Sequence, residues 1–324
     1  MKKGSTPPSA DATDPFETST LDSAIDEAPE TAENPEPDAA GESPPAALPP
    51  ESQASRFWQL FARGAVVAGR AAASASVTAA GLAADAYRSV DPDLRRHVAH
   101  TPIVGLTHLL PTAPIAALPD DGHNPVIFVH GLAGHPGNFF ALRQFMAFHG
   151  RTRGYAVPLP GRARFPVQAD ALSHAIREVC AVNGLPDTAR VDIVAHSMGG
   201  LVTRYALEDA AVRERIGRIV TLGTPHTGTW AARYAATHQT LDLRPTADVM
   251  TVLNAQIPWA AAWPRLFTFW SRADMLLLPP ESALVDGGVA VDCSDVSHMS
   301  YLLNPRVFAR VVECLAPVRA GFAL

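Results

Sequence analysis

From residue 120 onward, the hydrophobic positions form short runs that are apolar throughout or nearly so. The runs cover residues 126–129, 155–157, 191–195, 219–222 and 266–270. Strands that are buried on both faces read as near-continuous apolar runs. Each run therefore predicts one strand of a parallel sheet.

The segments between these runs carry apolar residues at the spacing of a helix. Pro166 begins one such segment and Asn183-Gly184 ends it. A second extends from Met198 to about Asp209, and Pro305 begins a third. Strands that alternate with helices predict an α/β fold, with a mostly parallel central sheet and helices on both faces. The functional site of such a sheet lies at the carboxyl ends of its strands.

Residues 1–52 have a different composition, rich in Pro, Ala, Ser, Thr and acids. They hold twelve of the 32 acidic residues and two of the 26 basic ones, a net charge of −10. The rest of the chain then carries 24 basic and 20 acidic residues, a net charge of +4. A segment of this kind buries too little apolar area to offset its chain entropy, so a disordered acidic tail is expected.

Residues 53–99 form an Ala-rich segment that favours helix. We expect this helical segment either to pack on the catalytic domain or to lie on a membrane or lipid surface. The catalytic domain itself is expected to cover residues 100–324. No signal-peptide h-region or membrane-spanning run is visible, so a cytoplasmic or peripherally membrane-associated protein is expected rather than a secreted one.

Composition also argues against two classes of protein. The chain has no basic stripe, so a nucleic-acid partner is not expected. Its three cysteines, Cys180, Cys293 and Cys314, are too few and too scattered for a disulfide framework or a zinc site. We interpret them as small buried apolar residues.

The segment 195–200, Ala-His-Ser-Met-Gly-Gly, directly follows the apolar run 191–195. A strand that enters a helix through a turn of small residues lifts one hydroxyl above the end of the sheet. Ser197 is therefore the candidate nucleophile, and acyl transfer is the candidate chemistry. Ala195 stands where this motif usually has Gly.

A serine nucleophile needs donors for the oxyanion that forms on the substrate. His130-Gly131-Leu132 follows the first strand directly, and a turn at this place supplies one donor in this architecture. The expected donors are the backbone amides of Leu132 and Met198. We expect His130 to hold the loop rather than to transfer protons.

The base and its orienting acid are expected later in the chain, in the order Ser, Asp, His. His298 lies just before the C-terminal helix and fits this order, whereas His226 precedes every strong acid candidate. Asp274 ends the run 266–270 and is the expected orienting acid. The acids that compete for this role are Asp286, Asp292 and Asp295.

Together these motifs resemble those of bacterial lipases and esterases of the α/β-hydrolase superfamily, from about residue 123 to 315. The matching motifs are 128–131, 195–200, 223–228, Asp274 followed by 279–283, and Ser297-His298. Ala195 makes the serine motif similar to that of Bacillus-type triacylglycerol lipases. The resemblance implies an α/β-hydrolase fold with a helical cap insertion, hydrolysis of carboxylic esters with acyl chains, and no cofactor. Some larger lipases bind calcium through an Asp at the position that Ser300 occupies here. Because serine lacks that carboxylate, the resemblance does not imply a metal site.

The expected cap covers residues 229–264, where Trp259 and Trp263 are candidates for binding acyl chains or simply for packing. The expected partners are an acyl ester or lipid substrate and, peripherally, a membrane or lipid surface. Two other functions remain open at this point. An acyltransferase or thioesterase would use the same three residues, and a non-catalytic hydrolase-like protein would only bind a surface.

Overall fold

The computed structural model describes residues 91–316. The expected disordered tail and most of the Ala-rich segment lie outside the described residues. Within residues 91–316, no helix has the length and apolar character needed to cross a membrane.

A six-stranded parallel sheet forms the centre of the described domain. Its strands are β1 (Val126–Val129), β2 (Gly154–Val157), β3 (Val191–His196), β4 (Ile216–Leu222), β5 (Arg265–Trp270) and β6 (Val289–Asp292). They lie in the order β2-β1-β3-β4-β5-β6. The predicted α/β fold is confirmed. Five of these strands coincide with the predicted apolar runs. The sixth, β6, is an edge strand with three exposed residues among its four, so it lacks such a run.

Within residues 91–316, eight α-helices accompany the sheet: α1 (Pro92–Leu106), α2 (Phe140–Phe148), α3 (Phe165–Val182), α4 (Met198–Ala206), α5 (Ala210–Glu214), α6 (His238–Asp242), α7 (Asp248–Asn254) and α8 (Pro305–Leu315). Helix α1 crosses residue 100, where the sequence analysis places the start of the catalytic domain. Its N-cap is Asp91, whose carboxylate accepts a hydrogen bond from the Asp93 amide at 2.8 Å.

Neighbouring residues of each central strand point to opposite faces of the sheet, which gives the domain two apolar cores. One core packs α3 and α4 against the sheet, and the other packs α2 and α8 against it. The strand residues that alternate between the two cores are Ile127 and Phe128, Ile193 and Val194, and Ile219 and Val220. Burial on both faces explains why these strands are apolar throughout.

A buried ion-pair cluster lies at the amino end of β3. The Asp192 carboxylate is fully buried and lies 3.3 Å from the Arg151 guanidinium and 4.0 Å from that of Arg218. The Asn124 side chain also donates a hydrogen bond to it at 3.1 Å. Burial raises the pKa of Asp192, and these partners partly oppose that shift.

Candidate active site

Ser197 lies between the carboxyl end of β3 and the first turn of α4. Its backbone has φ 55° and ψ −129°, a conformation that residues with a side chain rarely adopt. The turn is crowded: a Cβ added at Gly131 would lie 2.8 Å from the Ser197 Cβ. The Ser197 amide donates to the Leu222 carbonyl at 2.9 Å, and the Thr224 hydroxyl donates to the Ser197 carbonyl at 2.8 Å. These bonds and contacts hold a strained residue in place, as is typical of functional sites.

His298 and Asp274 form a buried hydrogen-bonded pair. The His298 Nδ1–H donates to the Asp274 carboxylate, with distances of 2.8 Å to Oδ2 and 3.0 Å to Oδ1. Asp274 Oδ1 also accepts the Leu276 amide at 3.1 Å. The carboxylate therefore fixes the orientation of the imidazole through Nδ1 and leaves Nε2 as the ring nitrogen not engaged by Asp274. Among the acids considered, the structure brings Asp274 to His298.

His196 packs against this pair, although the sequence reading gave it no role. Its ring centroid lies 4.7 Å from that of His298, and its Nε2–H donates to the His298 carbonyl at 3.0 Å. Burial lowers the pKa of His196 to about 3, so the ring is neutral at pH 7. The sequence signal that could have predicted a role for His196 is its position next to Ser197 in the 195–200 motif.

The loop after β1 orients the Leu132 amide. The Gly131 carbonyl accepts hydrogen bonds from the His130 Nδ1–H and from the Gly134 amide, both at 3.0 Å. Because the C=O and N–H of a trans peptide point in opposite directions, the Leu132 N–H points away from these groups. His130 Nε2 accepts the Leu159 amide at 3.3 Å, so both ring nitrogens are engaged in holding the loop.

The second expected oxyanion donor, the Met198 amide, lies in the first turn of α4, where backbone N–H groups lack helical acceptors. Within residues 91–316, neither this amide nor that of Leu132 donates to another protein group. Both are therefore available to a substrate oxygen.

Ser197, His298 and Leu132 line one cavity of about 390 Å³. Most of the other lining residues are apolar, and they come from several separate segments of the chain. Representative ones are Val104 of α1, Ala231 and Ala232 of the 3₁₀ helix Trp230–Tyr234, Leu243, Leu277 and Leu302. An apolar cavity that contains a few convergent polar groups is typical of a small-molecule site.

The first part of the expected cap, up to Leu243, contributes to this cavity, but Trp259 and Trp263 do not line it. Trp259 is buried in the core, where its indole N–H donates to the Pro264 carbonyl at 2.8 Å. The two rings pack edge to face, with centroids 5.0 Å apart. A role for these two tryptophans in acyl binding therefore finds no support in the structure.

His226 has a structural role. It is fully buried, and its Nε2 lies 3.0 Å from the Thr221 hydroxyl. The buried Arg204 guanidinium donates to the His226 carbonyl at 2.8 Å. Burial, with a smaller effect of Arg204, lowers the pKa of His226 well below its usual value. His226 is therefore not placed to act as the base.

We found no group of three or more His, Cys, Asp or Glu side chains suited to a metal ion among the described residues. Ser300, at the position where some larger lipases have a calcium-binding Asp, lies hydrogen-bonded between Ser297 and His100. The three cysteines carry free thiols. Burial raises the pKa of Cys293 to about 12 and that of Cys314 to about 11, which makes both poor nucleophiles at pH 7.

Comparison with known sequences gives three matches. Residues 111–267 match a family described as "Domain of unknown function (DUF7379)". A triacylglycerol lipase of Burkholderia plantarii is 28% identical over 167 residues, which is 48% of this chain and 44% of the relative. One of Pseudarthrobacter phenanthrenivorans is 29% identical over 140 residues, 40% of this chain and 41% of the relative. The chain thus spans less than half the length of each of these two relatives.

Solved structures resemble the described domain in fold. The Aspergillus fumigatus lipase B has a TM-score of 0.53 and 17% identity, covering 63% of this chain and 55% of that one. The mature Bacillus licheniformis lipase BlEst2 has a TM-score of 0.53 and 19% identity, covering 63% of this chain and 96% of that one. The chain therefore has the α/β-hydrolase fold, as the resemblance implied, and is similar in sequence to bacterial triacylglycerol lipases.

Proposed function

We propose that this chain is a serine carboxylic ester hydrolase that acts on acyl-lipid esters through an acyl-enzyme at Ser197. The observation that carries the proposal is that the strained Ser197 and His298, which is hydrogen-bonded to Asp274, line the same cavity. The similarity to triacylglycerol lipases supports a hydrolase independently.

In the proposed reaction, His298 Nε2 takes the proton of the Ser197 hydroxyl as its oxygen attacks the ester carbonyl carbon. The Leu132 and Met198 amides stabilise the resulting oxyanion. The imidazolium, held by Asp274, gives its proton to the leaving alkoxide, and the acyl group stays on Ser197. Water then attacks the acyl-enzyme with the same base, which releases the acid and regenerates the serine.

Two features of the site support a lipid ester as the substrate. The cavity lining is mostly apolar. In addition, Leu106 and Leu109 are 65% and 82% exposed, in α1 and in the 3₁₀ helix that follows it. Exposed apolar side chains beside the cavity suit a substrate presented from a lipid surface.

A fluorophosphonate probe tests the nucleophile. It should label the wild-type chain and leave Ser197→Ala and Ser197→Gly unlabelled, and both variants should lose ester turnover by at least about 10⁴-fold. Ser197→Gly should also unfold at a higher temperature than Ser197→Ala, because glycine adopts a positive φ without strain. Equal labelling of the wild type and both variants would contradict the assignment of Ser197.

A further inference from the structure

Helix α1 precedes both the family match, which begins at residue 111, and the sequence motifs between residues 123 and 315 that resemble those of lipases. It nevertheless contributes to the cavity that holds Ser197. The residues through which α1 and the 3₁₀ helix that follows it line this cavity are Thr101, Val104, Gly105 and His108. These positions have the spacing i, i+3, i+4 and i+7, so they occupy one face of the helix.

The catalytic-histidine loop, which we define as residues 295–302, holds the middle of α1. The Arg96 guanidinium donates to the Asp295 carbonyl at 2.5 Å and to its carboxylate at 3.3 Å. The ring of His100 is hydrogen-bonded to the Ser300 hydroxyl at 2.7 Å. The two contacts lie on either side of His298 in sequence.

The C-terminal end of α1 is held by the oxyanion loop, which we define as residues 130–139. The Asn138 side chain donates to the Thr107 hydroxyl at 2.8 Å and to the Val104 carbonyl at 3.3 Å. Gly137 packs so closely on the Thr107 carbonyl that a Cβ there would overlap it. Helix α1 therefore bridges the two loops that carry the base and one oxyanion donor, which fixes its cavity-lining face relative to Ser197.

Gly105 leaves open space on that face. Gly105 is an exposed position, and a Cβ added there would meet no atom within 4 Å apart from its chain neighbours and the backbone of its own helix. Glycine lowers helix stability relative to alanine, so local helix stability does not favour it at this position. A side chain here would extend from the cavity-lining face of α1 without displacing its neighbours.

We propose that α1 forms one wall of the pocket for the acyl chain and that Gly105 sets the length of the chain that this pocket accepts. The inference rests on the proposed ester hydrolysis. It adds to that proposal by assigning chain-length selection to a helix that precedes the lipase-like sequence motifs.

The test compares the full-length wild type with Gly105→Trp on p-nitrophenyl esters of two, four, eight and twelve acyl carbons. The indole should occupy the open space, so kcat/KM should fall at least about tenfold for the two longer esters and stay within about twofold for the acetate. Val98→Trp, an equally bulky change at an exposed α1 position that does not line the cavity, should keep the wild-type profile.

A uniform change of kcat/KM across all four esters, or an unchanged profile in Gly105→Trp, would overturn the inference. Failure of the proposed function is distinguishable, because the wild type would then hydrolyse none of the esters. In that case, the binding of decanoate, measured by calorimetry, tests the pocket without requiring turnover. Gly105→Trp should bind decanoate at least about tenfold more weakly than the wild type. Equal binding, or no binding to the wild type, would overturn the pocket assignment.

Discussion

The two ends of the central sheet both hold a buried carboxylate, but with partners of different chemistry. At the amino end, Asp192 is enclosed by Arg151, Arg218 and Asn124. At the carboxyl end, Asp274 is bonded to His298, whose other side faces the cavity. Guanidinium groups keep their protons at any physiological pH, whereas an imidazole exchanges its proton near neutrality. The comparison predicts that Asp192 contributes mainly to stability and Asp274 mainly to turnover, because their partners differ and only His298 lines the cavity.

The largest effect is expected for Asp274→Asn. An amide cannot fix the tautomer of His298 or stabilise the imidazolium as a carboxylate does, so kcat should fall on the order of 10⁴-fold. Steady-state kinetics on an aryl ester measures the loss, and the melting temperature should change little. Asp286→Asn, in a turn of the same part of the chain, is the control and should keep its activity. A loss in Asp274→Asn of less than about tenfold would mean that another group orients the base.

An Asp-to-Asn change at the amino end of the sheet should instead lower stability and leave turnover nearly unchanged. Asp192→Asn leaves the buried Arg151 guanidinium without its counter-charge, which should cost about 3–5 kcal/mol of the free energy of unfolding. Thermal and urea denaturation measure this loss, which corresponds to a melting temperature lower by roughly 10 °C. The kcat of the folded fraction should stay within about twofold of wild type. A selective loss of kcat without destabilisation would remove the distinction between the two ends.

The two ends should also respond oppositely to acid. Burial lowers the pKa of His97 in α1 to about 4, with smaller effects from the nearby His298, Asp274 and His100. The unfolded chain therefore binds a proton at His97 that the folded chain does not, between about pH 6.5 and 4. Protonation of His97 in the unfolded chain should therefore lower the free energy of unfolding by about 3 kcal/mol as the pH falls through that window. The raised pKa of Asp192 has the opposite effect on stability. The folded chain holds a proton at Asp192 more tightly than the unfolded chain does, so acid favours the folded state at this group.

Urea denaturation at pH 7 and pH 4.5 tests this dependence. The His97→Asn variant should lose clearly less stability than the wild type between these two values. His174→Asn, at an exposed position of α3, is the matched control and should lose as much as the wild type. Equal losses in all three proteins would show that His97 does not contribute to the acid sensitivity.

The sequence by itself determined which segments form most of the strands of a parallel sheet, because strands buried on both faces must be apolar throughout. Five of the six strands could be predicted from such runs, and β6 could not, since an exposed edge strand lacks this signature. Ser197 could be proposed as the nucleophile because the turn that lifts it requires small residues at fixed spacing. His298 and Asp274 followed as candidates from chain order, since each was expected after a strand end.

Only the tertiary structure decided which segments meet at the cavity. Helix α1 lines the cavity with Thr101 and Gly105, and the 3₁₀ helix that follows it does so with His108. Exposed apolar residues lie beside these positions, so the local sequence pattern does not predict a pocket wall. Its place depends on hydrogen bonds to loops that follow it by 31 to 200 residues. The ion pair of Asp192 with Arg151 likewise joins residues 41 positions apart. The spacing of nearby residues indicates which of them belong to the same helix or strand. Contacts between distant helices, strands and loops arise only when the chain packs.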